Sequence, residues 1–219
     1  MARVIAIDGP SGAGKSSVSK LVAKRLGFQY LDTGALYRAL ALHLIRKGIS
    51  PEGSDADIAF AAADAVIRLD GERVYLNCID VSDAIRTPEA GHYASVFSAR
   101  KSVREHLFRM QRDAGRDYDI VAEGRDMTTV VFPDAGLKVY LDASEEGRAR
   151  RRYFQLMEKG QPVTMDEAMR DVRDRDFRDS TREIAPLKKA DDAMHVDSTD
   201  MSLEDVVAAI VREARSIYP

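Results

Sequence analysis

The chain has 219 residues, 45% hydrophobic and 32% charged, with a net charge of −3 and a single cysteine, Cys78. That length suits one sizeable α/β domain with room for small inserted lobes. One cysteine excludes an intrachain disulfide and a cysteine-rich metal centre, and the mildly acidic balance argues against a broad nucleic-acid surface.

The chain opens with Val4–Ile7, a short continuous apolar run of the kind buried on both faces of a parallel sheet. The segment from Met1 is too short for a signal peptide, and no segment is apolar for long enough to span a bilayer. We therefore expect a cytoplasmic protein with no membrane or nucleic-acid partner, acting as a monomer. Asp8 to Gly14 cannot form a helix interior. From Lys15 a helical stripe of Val18, Leu21, Val22 and Leu26 runs to Gly27. Phe28–Leu31 reads as a second strand, so the opening spells strand, Gly-rich loop, helix, strand. This predicts an α/β fold with a doubly wound parallel sheet flanked by helices.

Helices are expected over Leu36–Lys47, closed by Gly48, and over Ser54–Leu69, which is Ala-rich. Arg73–Ile79 alternates after an Asp70-Gly71 turn signal, with Val74, Leu76 and Cys78 on one side. It predicts a half-exposed strand in a small antiparallel sheet inserted into the parallel domain. Pro88 starts a helix and Ser102–Asp113 forms another. Ile120–Ala122 and Leu137–Leu141 read as buried strands. Ser144–Lys159 reads as a helix capped by Ser144, and Asp166–Arg182 as a highly charged helix with few apolar anchors. Met194–Val196 is a short last strand before a helix opened by Ser202.

Gly9-Pro10-Ser11-Gly12-Ala13-Gly14-Lys15-Ser16 fits G-x-x-x-x-G-K-[ST] at every fixed position. Glycines let successive N–H groups turn inward around a phosphate without Cβ clashes. The following helix offers its positive end to the anion. Lys15 would serve the β- and γ-phosphates of a nucleoside triphosphate, and Ser16 Oγ would ligate Mg²⁺. An apolar strand before the motif and an amphipathic helix after it set it apart from an accidental Gly-rich turn.

Three further sets suggest an acceptor pocket rather than a positioned water. Thr33 and Arg38 follow the second strand, at the carboxyl end where a doubly wound sheet opens its crevice. The same residues also fit a turn followed by a surface arginine. Arg125 and Asp126 follow a later strand and suit a phosphate and a base or sugar hydroxyl, or else a surface ion pair. Arg175, Arg178 and Arg182 share one helical face. They form either a lid over the transferring phosphoryl group or, with Asp171, Asp174, Asp176 and Asp179 nearby, a solvated charged helix. Arg148, Arg150, Arg151 and Arg152 form another cluster.

Gly9–Ser17, Leu31–Arg38, Ile85–Glu89, Gly124–Met127, Val131–Ala135 and Ile184–Leu187 together resemble the bacterial cytidylate kinase family, nearly from end to end. The resemblance implies a P-loop core, an NMP-binding lobe over about 36–95 carrying the small sheet, and a lid over about 148–182. It implies ATP at Gly9, Pro10, Ser11, Gly12, Ala13, Gly14, Lys15, Ser16 and Ser17, with Mg²⁺ at Ser16. Thr33, Arg38 and Arg125 are implied as contacts around the acceptor phosphate, and Ser95, Arg104 and Asp126 as the cytosine reader. Arg175 and Asp179 fall on the phosphate and sugar side, and Arg182 on the transferring phosphate. The implied reaction is MgATP-dependent phosphorylation of CMP and dCMP by direct transfer, with Lys15, Arg125, Arg175 and Arg182 as the catalytic cations. A P-loop kinase of another small acceptor and a nucleotide-dependent switch are the alternatives. Glu123 stands where the family often has aspartate, which leaves its role open.

Overall fold

The computed structural model describes residues 2–158 and 160–219. Contacts divide the chain into two compact units, Met1–Leu31 with Gly115–Pro219, and Asp32–Ala114.

The first unit is built on a five-stranded sheet. Its strands are β1 (Val4–Asp8), β2 (Gln29–Asp32), β6 (Ile120–Gly124), β7 (Leu137–Asp142) and β8 (Met194–Asp197), in the order β2-β6-β1-β7-β8. β1 pairs in parallel with both β6 and β7, and β7 in parallel with β8. Ile5, Ala6 and Ile7 are fully buried, as expected for a central strand covered on both faces. Helix α1 (Lys15–Leu26) packs on β6 and on α8 (Leu203–Ile217). Val18 and Val22 meet Val207, Ile210 and Val211 in one core cluster. Gly27 ends α1 at φ 71°, donating to Ala23 O. Helix α6 (Glu145–Glu158) packs along α7 (Met165–Thr181). Ser144 Oγ accepts from Gly147 N at the head of α6, and the predicted last residue of that helix, Lys159, lies outside the described residues. Thr164 and Glu167 form a reciprocal capping box at the start of α7.

The second unit contains α2 (Thr33–Arg46), α3 (Asp55–Ala62), the sheet β3 (Ile67–Asp70), β4 (Arg73–Leu76) and β5 (Ile79–Asp80), α4 (Pro88–Phe97) and the start of α5 (Lys101–Asp117). α2 begins three residues before the predicted start, because Asp32 caps it by accepting from Ala35 N. The helix expected over Ser54–Leu69 stops at Ala62. Ile67 and Leu69 alternate instead, and β3 pairs antiparallel with β4 across the Asp70-Gly71 turn. The strand expected over Arg73–Ile79 is likewise cut. Asn77 and Cys78 both take positive φ, 49° and 67°, and turn β4 back into β5. Cys78 is therefore exposed at a hairpin tip instead of facing inward with Val74 and Leu76.

Candidate active site

The phosphate loop joins the carboxyl end of β1 to α1. A Cβ on Gly9 would lie 1.9 Å from Leu141 O, and one on Gly12 would lie 2.8 Å from Arg148 O. These two glycines are thus imposed by backbone packed against the loop. Gly14 takes φ 95° at the head of α1 and offers no side-chain cap. The first-turn amides of α1 therefore have no side-chain acceptor at the cap position, an arrangement suited to an anion. Ser16 and Ser17 are exposed on that first turn.

Lys15 is only 5% exposed, and its Nζ donates to Gly9 O and Pro10 O, each at 2.7 Å. Burial lowers its pKa to about 7, helped by the charges of Arg125 and Arg175 and opposed by Glu123 and Asp179. Two guanidinium groups and two carboxylates therefore act on the ammonium at the end of the loop, and loss of solvent is the largest single influence on it. Arg125 Nε donates to Asp179 Oδ2 at 2.8 Å, with side chains 16% and 5% exposed. Burial alone would raise the Asp179 carboxyl, but Arg125, Arg175 and Arg182 outweigh it and hold the group below the usual carboxylate range. Arg182 Nε donates to Ala185 O, and its Nη2 lies 3.6 Å from Asp126 Oδ1. Five of the predicted residues, Lys15, Arg125, Arg175, Asp179 and Arg182, thus form one electrostatic group, and Asp126 joins it through Arg182.

The other arginines of the charged helices divide. Arg173 pairs with Glu145 and Arg152 with Asp171 on the surface, as a solvated face would. Arg148 is buried. It donates from Nε to Ala143 O, and from Nη1 to Ser11 O and to Asp176, whose other oxygen accepts from Ser11 N at 2.8 Å. Arg151 donates to Ala13 O, Ser198 Oγ and Ser198 O. These side chains hold the first half of the phosphate loop. Sequence reasoning placed Arg148 and Arg151 only in an undifferentiated basic cluster, with nothing in their spacing to single them out.

Two acids at strand ends complete this unit. Glu123 is buried and accepts from Tyr30 Oη at 2.6 Å. Asp8 is fully buried and accepts from Met127 N, Thr128 N and Thr128 Oγ1. Burial pushes the Asp8 carboxyl up to about 6, with the Thr128 bonds and the Met127 amide working against it and Asp126 adding to it. Asp8 was absent from the expected site, although an acid ending an apolar central strand was its visible signal.

The second unit carries Thr33, Arg38, Ser95 and Arg104. Thr33 is buried in the first turn of α2, and Arg38 is half-buried one turn later. Ser95 and Arg104 are buried and linked through Ser98, which donates to Ser95 O at 2.8 Å and accepts from Arg104 Nη1 at its own carbonyl at 3.1 Å. The Arg104 guanidinium lies 5.7 Å from the Tyr37 ring centroid. Arg86, in the Ile85–Glu89 motif, donates to Asp32 Oδ2 at 3.1 Å, and Asp32 Oδ1 caps α2.

Among the described residues no cluster of three or more His, Cys, Asp or Glu side chains could hold a metal, and no helix is long and apolar enough to cross a membrane. A divalent cation here would depend on hard oxygen donors, which the exposed Ser16 hydroxyl and nucleotide phosphates can supply.

The family model described as cytidylate kinase matches residues 5–216. A cytidylate kinase of Geobacter sulfurreducens is 50% identical over 99% of this chain and 95% of that protein. Those of Thermodesulfovibrio yellowstonii and Pseudomonas aeruginosa are each 48% identical, over 97% and 95% of this chain and 98% and 93% of theirs. Among solved structures, an uncharacterized protein from Eubacterium ventriosum matches with a TM-score of 0.53 at 14% identity, over 98% of this chain and 99% of that one, a likeness of fold.

Proposed function

The chain belongs to the cytidylate kinase family, and from that premise we propose that it transfers the γ-phosphoryl group of ATP, as MgATP, to CMP and dCMP, giving CDP and dCDP. The observation that carries the chemistry is the charge around Lys15. An ammonium held near its titration point by burial, Arg125 and Arg175 gains when an anion arrives, so the site favours polyphosphate. Catalysis is then alignment and charge neutralisation of a transferring phosphoryl group, and no covalent enzyme intermediate is needed.

Lys15 and the loop amides hold the donor, and the Ser16 hydroxyl is the protein's ligand to Mg²⁺, which neutralises phosphate charge when bound. Arg125, Arg175 and Arg182 neutralise the transferring group. Thr33 and Arg38 hold the acceptor phosphate, and Asp179 orients Arg125 and faces the sugar. Ser95 and Arg104 serve the O2 and N3 acceptors of cytosine, and Asp126 accepts from its N4 amino group, a pairing also used to read C in DNA. Uracil reverses the pattern at N3 and O4 and would leave buried groups unpaired, at about 1–3 kcal/mol each. The protein acts in the cytoplasm as a monomer.

A coupled assay at fixed MgATP with CMP, dCMP, UMP and AMP as acceptors tests this. CMP and dCMP should be phosphorylated far faster than the others. Equal rates with AMP and CMP would remove the cytosine assignment, and ATP hydrolysis that CMP does not stimulate would point to a nucleotide switch.

A further inference from the structure

Asp126 sits at the entry of a five-residue π-helical turn, Met127–Val131, and is followed by Phe132 N donating back to Met127 O. A turn of this kind leaves its first amides unsatisfied, and an aspartate at that position ordinarily folds its own carboxylate over them. Asp126 does not: its side chain makes no cap hydrogen bond. The amides of Met127 and Thr128 are taken instead by Asp8, from the end of a different strand, at 2.9 and 2.7 Å, with Thr128 Oγ1 adding a third bond at 2.6 Å. Both oxygens of a fully buried carboxylate are thereby committed to the turn. The carboxylate of Asp126 is turned toward Arg182. Asp8 also immediately precedes Gly9, which backbone packing at Leu141 holds in place. The cap is thus tied to the phosphate loop.

The geometry points to Asp8 as a positioning residue for acceptor recognition: by capping the Met127–Val131 turn from outside, it keeps the Asp126 carboxylate from capping that turn and holds it in the orientation, toward Arg182, from which it would meet the base. This inference rests on the reading of Asp126 as the group that accepts from the cytosine amino group. If Asp8 loses an acceptor, the nearest carboxylate able to serve a vacated amide is Asp126, and recognition is lost without any change at the base contacts themselves.

The test compares Asp8→Asn, Asp126→Ala, the double variant and Thr128→Val in the full chain, reading KM and kcat for CMP, UMP and ATP. Asn replaces one acceptor by a donor that faces an N–H group. Asp8→Asn should raise KM for CMP at least ten-fold and lower the preference for CMP over UMP at least ten-fold, with KM for ATP within about three-fold. The double variant should be no worse than Asp126→Ala alone, because both act on one carboxylate. Thr128→Val keeps both amides capped and should keep the preference. Additive losses in the double variant, or Thr128→Val matching Asp8→Asn, would overturn the inference in favour of a packing role. If Asp8→Asn does not fold, Asp8→Ser, whose hydroxyl can still serve one amide, takes its place with the same expectations. If Asp126→Ala leaves the CMP preference intact, the base-reading role of Asp126 fails on its own, whatever Asp8 does.

Discussion

Replacing Asp179 with Asn removes one charge from a buried ion pair and leaves its shape. Arg125 Nε and Asp179 Oδ2 are 2.8 Å apart with side chains 16% and 5% exposed, so solvent can do little to compensate the remaining guanidinium. Breaking such a pair from one side costs about 3–5 kcal/mol. The carboxamide oxygen can still accept from Arg125, which places the expected loss near 3 kcal/mol. For a chain of 219 residues that corresponds to a fall in Tm of roughly 6–12 °C. The folded Asp179 carboxyl titrates below its unfolded value, so its contribution is fully present at neutral pH and fades as pH falls below about 4. The deficit of the variant should shrink over the same range. The substitution also removes a charge that supports the Lys15 ammonium, which already titrates near 7. Under the proposed function the protonated lysine is the phosphate-binding form, so kcat/KM for ATP should fall with rising pH through about 7 in the wild type, and at lower pH in Asp179→Asn. Calorimetry gives the first effect and a pH profile of kcat/KM the second. A variant with wild-type Tm and an unmoved pH limb would refute the electrostatic account of this site.

Arg148→Ala removes the bonds to Ala143 O, Ser11 O and Asp176 and should raise KM for ATP about ten-fold, with a smaller effect on CMP, in initial-rate kinetics with each substrate varied. Gly9→Ala drives a Cβ to 1.9 Å from a backbone oxygen of β7, a clash no side chain can relieve. It should cost more than about 4 kcal/mol in a urea titration or prevent soluble expression. Asp8, with its carboxyl raised to about 6, makes the wild type gain stability relative to Asp8→Asn as pH falls from about 6 to about 4. The wild-type urea midpoint minus that of Asp8→Asn should therefore increase as pH falls across that range.

Legibility in the sequence followed how local the deciding interaction was. β1, α1 and the loop between them are written in a contiguous pattern, because glycines, an apolar run and a helical stripe each act over a few residues. The end of α3 was not legible, since the alanine-rich run continues past Ala62 to Ala65 with no glycine or proline to stop it. Ile67 and Leu69 became β3 only because β4 offers its antiparallel edge. The turn at Asn77 and Cys78 was hidden in the same way inside an alternating run. In the site, Lys15 could be named from its motif alone. Arg148 and Arg173 look equivalent in sequence, yet one is buried against the phosphate loop and the other pairs with Glu145 on the surface.

The sequence by itself determined the phosphate loop, the parallel α/β core and, through motifs spread over most of its length, the family. All of these rest on short-range patterns and residue types. The tertiary structure decided which charges matter. Only folding places Asp179 against Arg125, sets Arg125 and Arg175 around Lys15, and brings Asp8 across to the amides of Met127 and Thr128. Each effect depends on burial and on contacts between residues far apart in the chain, and neither property is carried by spacing.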